Sequence, residues 1–260
     1  MNSRYLSTAV LLALAACGQE TSVQQTEVTA ESPIYSDALA HPNRPAGDLD
    51  SDASRKPAEV LAFFGIQPGM TVLDLFSGGG YYSELISYVV GTEGKVVAHS
   101  NDAYINFVGD AFHKRHADGR LPNVEVLMAE NNELDLRAET FDAVAMVLTY
   151  HDIFHVDVEN GWPRIDGPRL LAEIFQSMKP GGILGVVDHY ADAGAPRETG
   201  NSLHRIDPRI VISELEIAGF VLEEKSSILR NMDDDHSKIV FDPEIRGKTD
   251  RFVMRFRKPD

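Results

Sequence analysis

Short apolar runs and amphipathic stretches alternate along the chain from Ser54 onward. Seven runs have the length and residue content of strands, and they cover residues 71–76, 95–98, 124–128, 141–148, 182–187, 220–224 and 251–256. Five stretches have helical spacing, and they cover residues 57–64, 81–90, 104–117, 170–178 and 208–218. This alternation predicts an α/β fold with a mainly parallel sheet and helices on both faces. Ligands of such sheets bind at the carboxyl ends of the strands.

The first residues of the chain follow a different pattern. Residues 5–16 form an apolar run behind Arg4, which is too short to span a bilayer and is typical of a signal peptide. The run ends in Leu-Ala-Ala-Cys, which resembles the lipobox of bacterial lipoproteins. That resemblance implies acylation of Cys17, and we expect an exported, periplasmic protein that meets the membrane only through this lipid anchor. An ordinary secretory signal cleaved near Ala16 is the alternative.

Three segments are therefore expected. Residues 1–17 form the lipoprotein-type signal peptide, residues 18–52 form a flexible tether and an N-terminal arm, and residues 53–260 form one sizeable folded domain. We predict that the arm is rich in loops, with one helical turn near residues 36–40. We expect the arm to wrap over the surface of the domain. The alternative is that it packs over the active site as a lid.

The net charge of the chain limits the kinds of molecule that it is expected to bind. The 260 residues carry a formal net charge of -16, which repels phosphate backbones and so disfavours nucleic acid. The single cysteine excludes an intrachain disulfide. A small molecule is the expected partner, and the sequence carries no signal of oligomeric state.

The strongest local motif is the segment 72–82, which reads Val-Leu-Asp-Leu-Phe-Ser-Gly-Gly-Gly-Tyr-Tyr. A buried strand runs directly into three glycines and a helix. Glycine permits the positive φ of a tight turn, and the exposed N–H groups at a helix start attract a carboxylate or phosphate. Asp74 either accepts a hydrogen bond from a ligand ammonium or holds the glycine loop in shape.

This segment resembles the first motif of the class I S-adenosylmethionine-dependent methyltransferases. Further resemblances follow in the family's order, and they lie at residues 94–98, 130–131, 141–144 and 179–184. The nearest group is a set of poorly characterised predicted methyltransferases, whose Gly-Gly-Gly-Tyr-Tyr, Tyr-His-Asp and Asp-His motifs match residues 78–82, 150–152 and 188–189. The resemblance implies a Rossmann-like methyltransferase fold with seven strands, the last antiparallel, and an S-adenosylmethionine-dependent transferase of the EC 2.1.1 class.

The same resemblance implies the cofactor residues. They are Asp74, Ser77, Gly78, Gly79, Gly80, Tyr81, Ser100, Asn101, Glu130 and Asn131. Two positions depart from the family pattern: Phe76 stands where the first glycine usually lies, and Ser100 stands where an acidic residue binds the ribose. Asn101 or Asp102 is expected to substitute for that acidic residue.

Two other classes of function compete with this interpretation. A nicotinamide-dependent dehydrogenase needs a third glycine at the position of Ser83, so its fingerprint fails. An exported, lipid-anchored binding or scaffold module is the second alternative, because S-adenosylmethionine is made in the cytoplasm.

Histidines and aspartates cluster after strands four and five. We interpret His151, Asp152, Asp188 and His189 as the catalytic residues, while His155 and His204 lie in neighbouring loops. We predict that His151 or His189 removes a proton from the methyl acceptor and that Asp152 or Asp188 orients it. Histidine and aspartate also ligate divalent ions. No fixed ligand spacing is present, so we rank acid–base chemistry above metal binding and predict no metal site.

Overall fold

The computed structural model describes residues 29–260, which form a seven-stranded sheet flanked by helices. The strands are β1 (Thr71–Asp74), β2 (Lys95–Ser100), β3 (Val124–Met128), β4 (Phe141–Val147), β5 (Met178–His189), β6 (Val221–Ser226) and β7 (Arg251–Arg257). The α-helices of these residues are α1 (Pro33–Leu39), α2 (Ala46–Arg55), α3 (Pro57–Phe64), α4 (Tyr81–Val90), α5 (Asp102–Val108), α6 (Asp110–His116), α7 (Gly167–Ser177), α8 (Thr199–Leu203) and α9 (Pro208–Ile217).

The order of the strands is β3-β2-β1-β4-β5-β7-β6. β1 to β5 run parallel to one another, and β7 is antiparallel to both β5 and β6. The predicted fold class is therefore confirmed, including the antiparallel last strand. The order reverses between β1 and β4, so the crevice expected for ligands opens above these two strands.

Alternating residues of the central strands build a core on each face of the sheet. Leu73, Val144 and Val186 face a cluster that includes residues of α7 and α9. The opposite cluster includes Val72 and residues of α1, α3 and α4. Both faces are buried because a parallel sheet needs cover on both sides. The sheet thus forms a rigid platform for the loops at its carboxyl edge.

Most predicted elements are confirmed within a few residues, and three predictions are wrong. The stretch predicted as one helix over residues 104–117 is two helices, because Gly109 adopts φ +62° between α5 and α6. β5 is also longer than predicted, since its pairing with β7 extends to His189.

The N-terminal arm is the other correction, because it forms α1 and α2 rather than a loop with one helical turn. α1 buries Tyr35, whose hydroxyl donates to the carbonyl oxygen of Ile66. α2 buries none of its residues, and ion pairs hold it instead. One of them is the bidentate pair between Arg44 and Asp52 of α2. Without an apolar face, α2 left no periodic pattern in the sequence.

The signal segment with Cys17, and nearly all of the predicted tether, lie outside the described residues. Within residues 29–260, every helix is too short or too polar to cross a membrane. Neither observation tests the expected export or lipid anchor, which stay predictions.

Candidate functional site

The glycine loop follows β1 and enters α4. Gly78 and Gly80 adopt φ values of +55° and +75°, which favour glycine. Phe76, at the family's usual glycine position, also has a left-handed backbone, with φ +56°. Its ring stacks on Tyr104 with the centroids 5.4 Å apart, and its N–H donates to Nδ1 of His99. Phe76 therefore keeps the left-handed backbone of the glycine that the family usually has here, and it adds a packed side chain.

Asp74, at the end of β1, contacts the helix that follows the glycine loop. It is buried, and its Oδ2 accepts a 2.5 Å hydrogen bond from Oγ of Ser83 in α4. Burial raises the pKa of Asp74 to about 6, and the hydrogen bonds from Ser83 oppose that rise. Of the two roles considered for Asp74, this contact is the one that holds the loop in shape.

Three buried hydroxyls at the carboxyl edge of the sheet have no hydrogen-bond partner in residues 29–260: those of Ser77, Ser100 and Thr149. They come from the glycine loop, the end of β2 and the residues after β4. Buried polar groups are normally paired, so these hydroxyls mark a place where ligand atoms fit. S-adenosylmethionine is rich in such polar atoms, and the residues predicted for it fit this crevice.

The residues predicted on the adenine and ribose side come together. The side-chain amide of Asn101 donates to Glu130 and Asn131 at 3.3 Å each, and its oxygen caps α5 by accepting the N–H of Tyr104. Ser100 is fully buried beside them. Ser77, whose N–H donates to the carbonyl of His99, joins this group to the glycine loop.

Tyr81 faces the arm. Its hydroxyl donates to Asp52 at 2.5 Å, and Arg55 lies 4.7 Å from its ring. Below it, the guanidinium of Arg115 contacts the carbonyl of Gly79 and forms ion pairs with Glu84 and with Asp48 of α2. The arm therefore braces the glycine loop through charges. Sequence reasoning missed Arg115 and Glu84, because their partners lie far away in the chain.

His99 is another missed residue of the crevice. It is fully buried in β2, its Nδ1 accepts the N–H of Phe76, and its Nε2–H donates to the carbonyl of Ala129 at 2.9 Å. The bond from Phe76 requires the neutral ring, because Nδ1 accepts it only without a proton. Burial lowers the pKa of His99 to about 4, although the bond to Ala129 opposes this shift.

We expect His99 to make the fold sensitive to mild acid. Because its folded pKa lies below the ordinary 6.5, stability is full above pH 6.5 and is lost as the pH falls towards 4. The loss amounts to about 3 kcal/mol. His99→Gln keeps a donor for Ala129 without a titrating group, so its urea unfolding free energy should fall less between pH 7 and pH 4. An unchanged pH dependence in this variant would contradict the role given to His99.

The predicted catalytic residues meet in one buried cluster beyond β4 and β5. Asp188 is fully buried and accepts the N–H groups of His151 and His189, at 2.8 and 2.7 Å. It also accepts the ring Nδ1–H of His151 at 2.7 Å. The other ring nitrogen of His151, Nε2, lies 3.2 Å from Oδ1 of Asp152. Both carboxylates thus contact His151, and neither contacts the ring of His189.

The two histidines differ in their electrostatic surroundings. Burial alone would lower the pKa of His151, but Asp188 and Asp152 outweigh it and raise this pKa to about 10. Burial, followed by the positive charges of Arg251 and His151, holds the pKa of His189 well below its ordinary value. His189 has one ring partner, the hydroxyl of Thr249 at 2.7 Å from Nδ1. Its ring is therefore the neutral one.

Aromatic rings form the outer wall of the cluster. The ring of His204 packs against His151 and His155, with centroids 5.2 and 4.9 Å apart, and against Phe241 at 4.8 Å. Trp162 contacts His155 and Tyr104. The residues come from four separate segments, so the wall exists only in the folded chain.

Arg251 is a further residue that sequence reasoning missed. It is 4% exposed, and its guanidinium donates to Thr249 and to the carbonyl of Ser54. No carboxylate within residues 29–260 pairs with it. Burial and the nearby charge of Arg55 lower the pKa of Arg251 to about 10. Arg251 is thus a buried cation whose position in β7 pairs with that of His189 in β5.

Comparison with known proteins links this site to one family. The model of the ubiE/COQ5 methyltransferase family matches residues 55–193, more than half of the chain. A sterol 24-C-methyltransferase of Yarrowia lipolytica is 27% identical over 198 residues, 70% of this chain and 48% of that protein. A ubiquinone/menaquinone biosynthesis C-methyltransferase UbiE of Idiomarina loihiensis is 30% identical over 45% of this chain and 42% of its own length. The chain thus spans about half the length of these curated relatives.

Solved structures share the fold. An S-adenosylmethionine-dependent methyltransferase from Aquifex aeolicus is 27% identical with a TM-score of 0.56, and the match covers 83% of this chain and 98% of that one. A 1,6-didemethyltoxoflavin-N1-methyltransferase from Burkholderia thailandensis, with bound 1,6-didemethyltoxoflavin and S-adenosylhomocysteine, is 19% identical with a TM-score of 0.52 over 83% and 82% of the two chains.

The family match spans the glycine loop, the three partnerless hydroxyls and the residues predicted to be catalytic. S-adenosylmethionine is accordingly the cofactor, and the chain belongs to the ubiE/COQ5 methyltransferase family.

Proposed function

We propose that this protein transfers a methyl group from S-adenosylmethionine to a small molecule. The observation that carries the proposal is the buried His/Asp cluster beside the glycine loop, at the carboxyl edge of the sheet. β1 pairs with β4, and β4 pairs with β5, so the loop after β1 and the cluster after β4 and β5 are neighbours. An exported scaffold with the same fold has no need for such a cluster.

Small size and an apolar body are the expected features of the acceptor. The net charge of -16 disfavours a nucleic acid. Phe107 and Phe241 lie at the rim, 62% and 38% exposed, with their rings 5.7 Å apart. They favour a planar or apolar molecule, and the unpaired Arg251 favours an anionic group on it. The Burkholderia enzyme, whose structure holds 1,6-didemethyltoxoflavin, gives an example of a small acceptor on this fold.

The chemistry divides between the cofactor and the chain. S-adenosylmethionine supplies an already activated methyl group, so the protein mainly orients the acceptor. A base is needed where the acceptor carries a proton. His189 is the better base of the two predicted candidates, because both ring nitrogens of His151 face carboxylates. Asp188 holds His151 and the backbone of His189, which makes it a positioning residue.

We expect Gly79→Asp to weaken cofactor binding by at least about tenfold, because the new carboxylate would repel the carboxylate of the cofactor. A Cβ at Gly79 would lie an ordinary 3.5 Å from Cβ of Ala111, so the variant should fold. Gly79→Ala is the matched control and should bind within about threefold of the unchanged protein. Titration calorimetry with S-adenosylhomocysteine measures all three. Equal binding by Gly79→Asp would remove this loop from the cofactor site, and no binding by the unchanged protein would favour the scaffold alternative.

Export and lipid anchoring through Cys17 are part of the proposal. They are supported by the apolar run and the Leu-Ala-Ala-Cys sequence alone. Expressed in bacteria, the full chain should incorporate labelled fatty acid, and Cys17→Ser should abolish the label. An unlabelled protein that retains Met1 in the cytoplasm would show that this segment is not a lipoprotein signal.

A further inference from the structure

Three ligand atoms converge beyond the carboxyl ends of β4 and β5. Nε2 of His151 lies 3.2 Å from Oδ1 of Asp152, and Nδ1 of His204 lies 3.8 Å from the same oxygen. One ligand atom from each residue lies within 4.8 Å of the others. A tetrahedral ion with bonds of about 2.1 Å separates its ligand atoms by about 3.4 Å. Small movements of the side chains therefore suffice to enclose an ion.

Hydrogen bonding explains why a positive charge belongs between these atoms. Nδ1 of His151 donates to Asp188, so in the neutral ring Nε2 carries a lone pair that points at an oxygen of Asp152. These two lone pairs would repel at 3.2 Å, and in the metal-free protein a proton on Nε2 supplies the charge between them. A proton relieves this one pair only, because 3.8 Å to His204 exceeds a hydrogen bond. A metal ion satisfies all three groups at once.

The surrounding residues have the arrangement of a metal site. Asp188 fixes the ring of His151 through Nδ1, as carboxylates do for metal-ligating histidines. Tyr104 donates its hydroxyl to Oδ2 of Asp152 at 2.9 Å, which orients the carboxylate and leaves Oδ1 for the ion. His151 and Asp152 are buried, and the side chain of His204 is 15% exposed.

The backbone is also shaped to bring His204 into place. His204 has φ +53°, a left-handed conformation that is rare outside glycine and that concentrates at functional sites. Just before it, α8 packs so closely on the turn after β4 that a Cβ at Gly200 would lie 2.7 Å from the carbonyl oxygen of His151. A larger residue at position 200 would separate His204 from Asp152.

We propose that His151, Asp152 and His204 bind one divalent transition-metal ion. Two imidazoles and one carboxylate suit zinc, iron or manganese better than calcium or magnesium, which prefer oxygen ligands alone. Three protein ligands leave a coordination position open. In the proposed methyl transfer, on which this last step rests, a hydroxyl of the acceptor would bind the ion at that position and pass its proton to His189, whose ring lies 5.9 Å from that of His151.

Zinc binding by the full chain tests the site directly. After removal of metal with a chelator, zinc is titrated in competition with a chromogenic chelator, and cobalt absorption in the visible range reports the coordination. We expect one equivalent to bind, and His151→Ala, Asp152→Ala and His204→Ala should each weaken binding at least about tenfold. His113→Ala, which removes an exposed histidine of α6, should leave it unchanged.

Gly200→Ala extends the test to geometry, since it should weaken zinc binding without removing a ligand. Gly47→Ala is its control, because a Cβ there meets no atom within 4 Å. Zinc should also raise the unfolding temperature of the unchanged protein but not of a folded ligand variant. Zinc retained in all three ligand variants, or bound by none of the proteins, would overturn the site. S-adenosylhomocysteine is titrated on the same samples. A protein that binds S-adenosylhomocysteine but not zinc rejects the metal site alone. A protein that binds zinc but not S-adenosylhomocysteine rejects the cofactor site alone.

Discussion

Replacing His189 by alanine is expected to lower the rate of methyl transfer by about 100- to 10,000-fold, the usual effect of losing a general base. The ring of His189 is neutral in its surroundings, and Thr249 occupies Nδ1 while Nε2 stays available. Release of S-adenosylhomocysteine measures the rate once screening has supplied an acceptor. Cofactor affinity should stay within a few-fold, because His189 lies at the carboxyl end of β5 rather than at the glycine loop.

Thr249→Val serves as the comparison for His189→Ala. It removes the hydroxyl that contacts Nδ1 and keeps the ring, so its rate should fall much less. A drop in cofactor affinity as steep as the drop in rate would place His189 in binding or folding. Unchanged activity in His189→Ala would leave this histidine as part of the loop structure.

The largest effect on stability is expected for Arg205→Ala. Arg205 is fully buried and pairs with both oxygens of Asp234, at 2.9 and 3.0 Å, and it also donates to the carbonyls of Tyr190 and Lys238. These bonds tie the segment between β6 and β7 to the end of β5. Truncation leaves the carboxylate of Asp234 buried and unpaired, which costs about 3–5 kcal/mol. Urea unfolding followed by the fluorescence of Trp162, the single tryptophan, measures the loss.

The ion pair between Arg209 and Asp207 is the control for the pair between Arg205 and Asp234. Arg209 also contacts an aspartate, Asp207, but its side chain is 64% exposed, so Arg209→Ala should cost far less stability than Arg205→Ala. The double variant Arg205→Ala with Asp234→Asn removes the buried charge and keeps an acceptor for the N–H of Asp250, so it should recover part of the stability. Equal losses for Arg205→Ala and Arg209→Ala would show that burial does not govern these pairs.

Much of the sheet could be predicted because its strands carry local patterns. β3 and α4 have the predicted bounds, and the antiparallel β7 followed from the family resemblance. The glycine loop was visible for the same reason, since a strand, three glycines and a helix start are adjacent in the chain. The arm escaped prediction because α2 has no apolar periodicity and is held by charges from other elements.

The cluster was only partly predictable. His151, Asp152, Asp188 and His189 could be selected because each follows a strand, and parallel strand ends meet at one edge. The partner of each side chain was not predictable. Asp188 contacts His151 rather than serving the ring of His189, and His204 joins Asp152 from 52 positions away. These contacts separate the histidine that we propose as a base from the two that we propose as metal ligands.

The sequence by itself determined the order of strands and helices, the glycine turn and the edge of the sheet where chemistry occurs, because each depends on the spacing of neighbouring residues. Only the tertiary structure decided that Asp74 accepts a hydrogen bond from Ser83, that Arg205 is buried in an ion pair with Asp234, and that His204 lies close to Asp152. Hydrogen bonds, ion pairs and pKa values depend on distance in space, and packing alone brings such distant positions together.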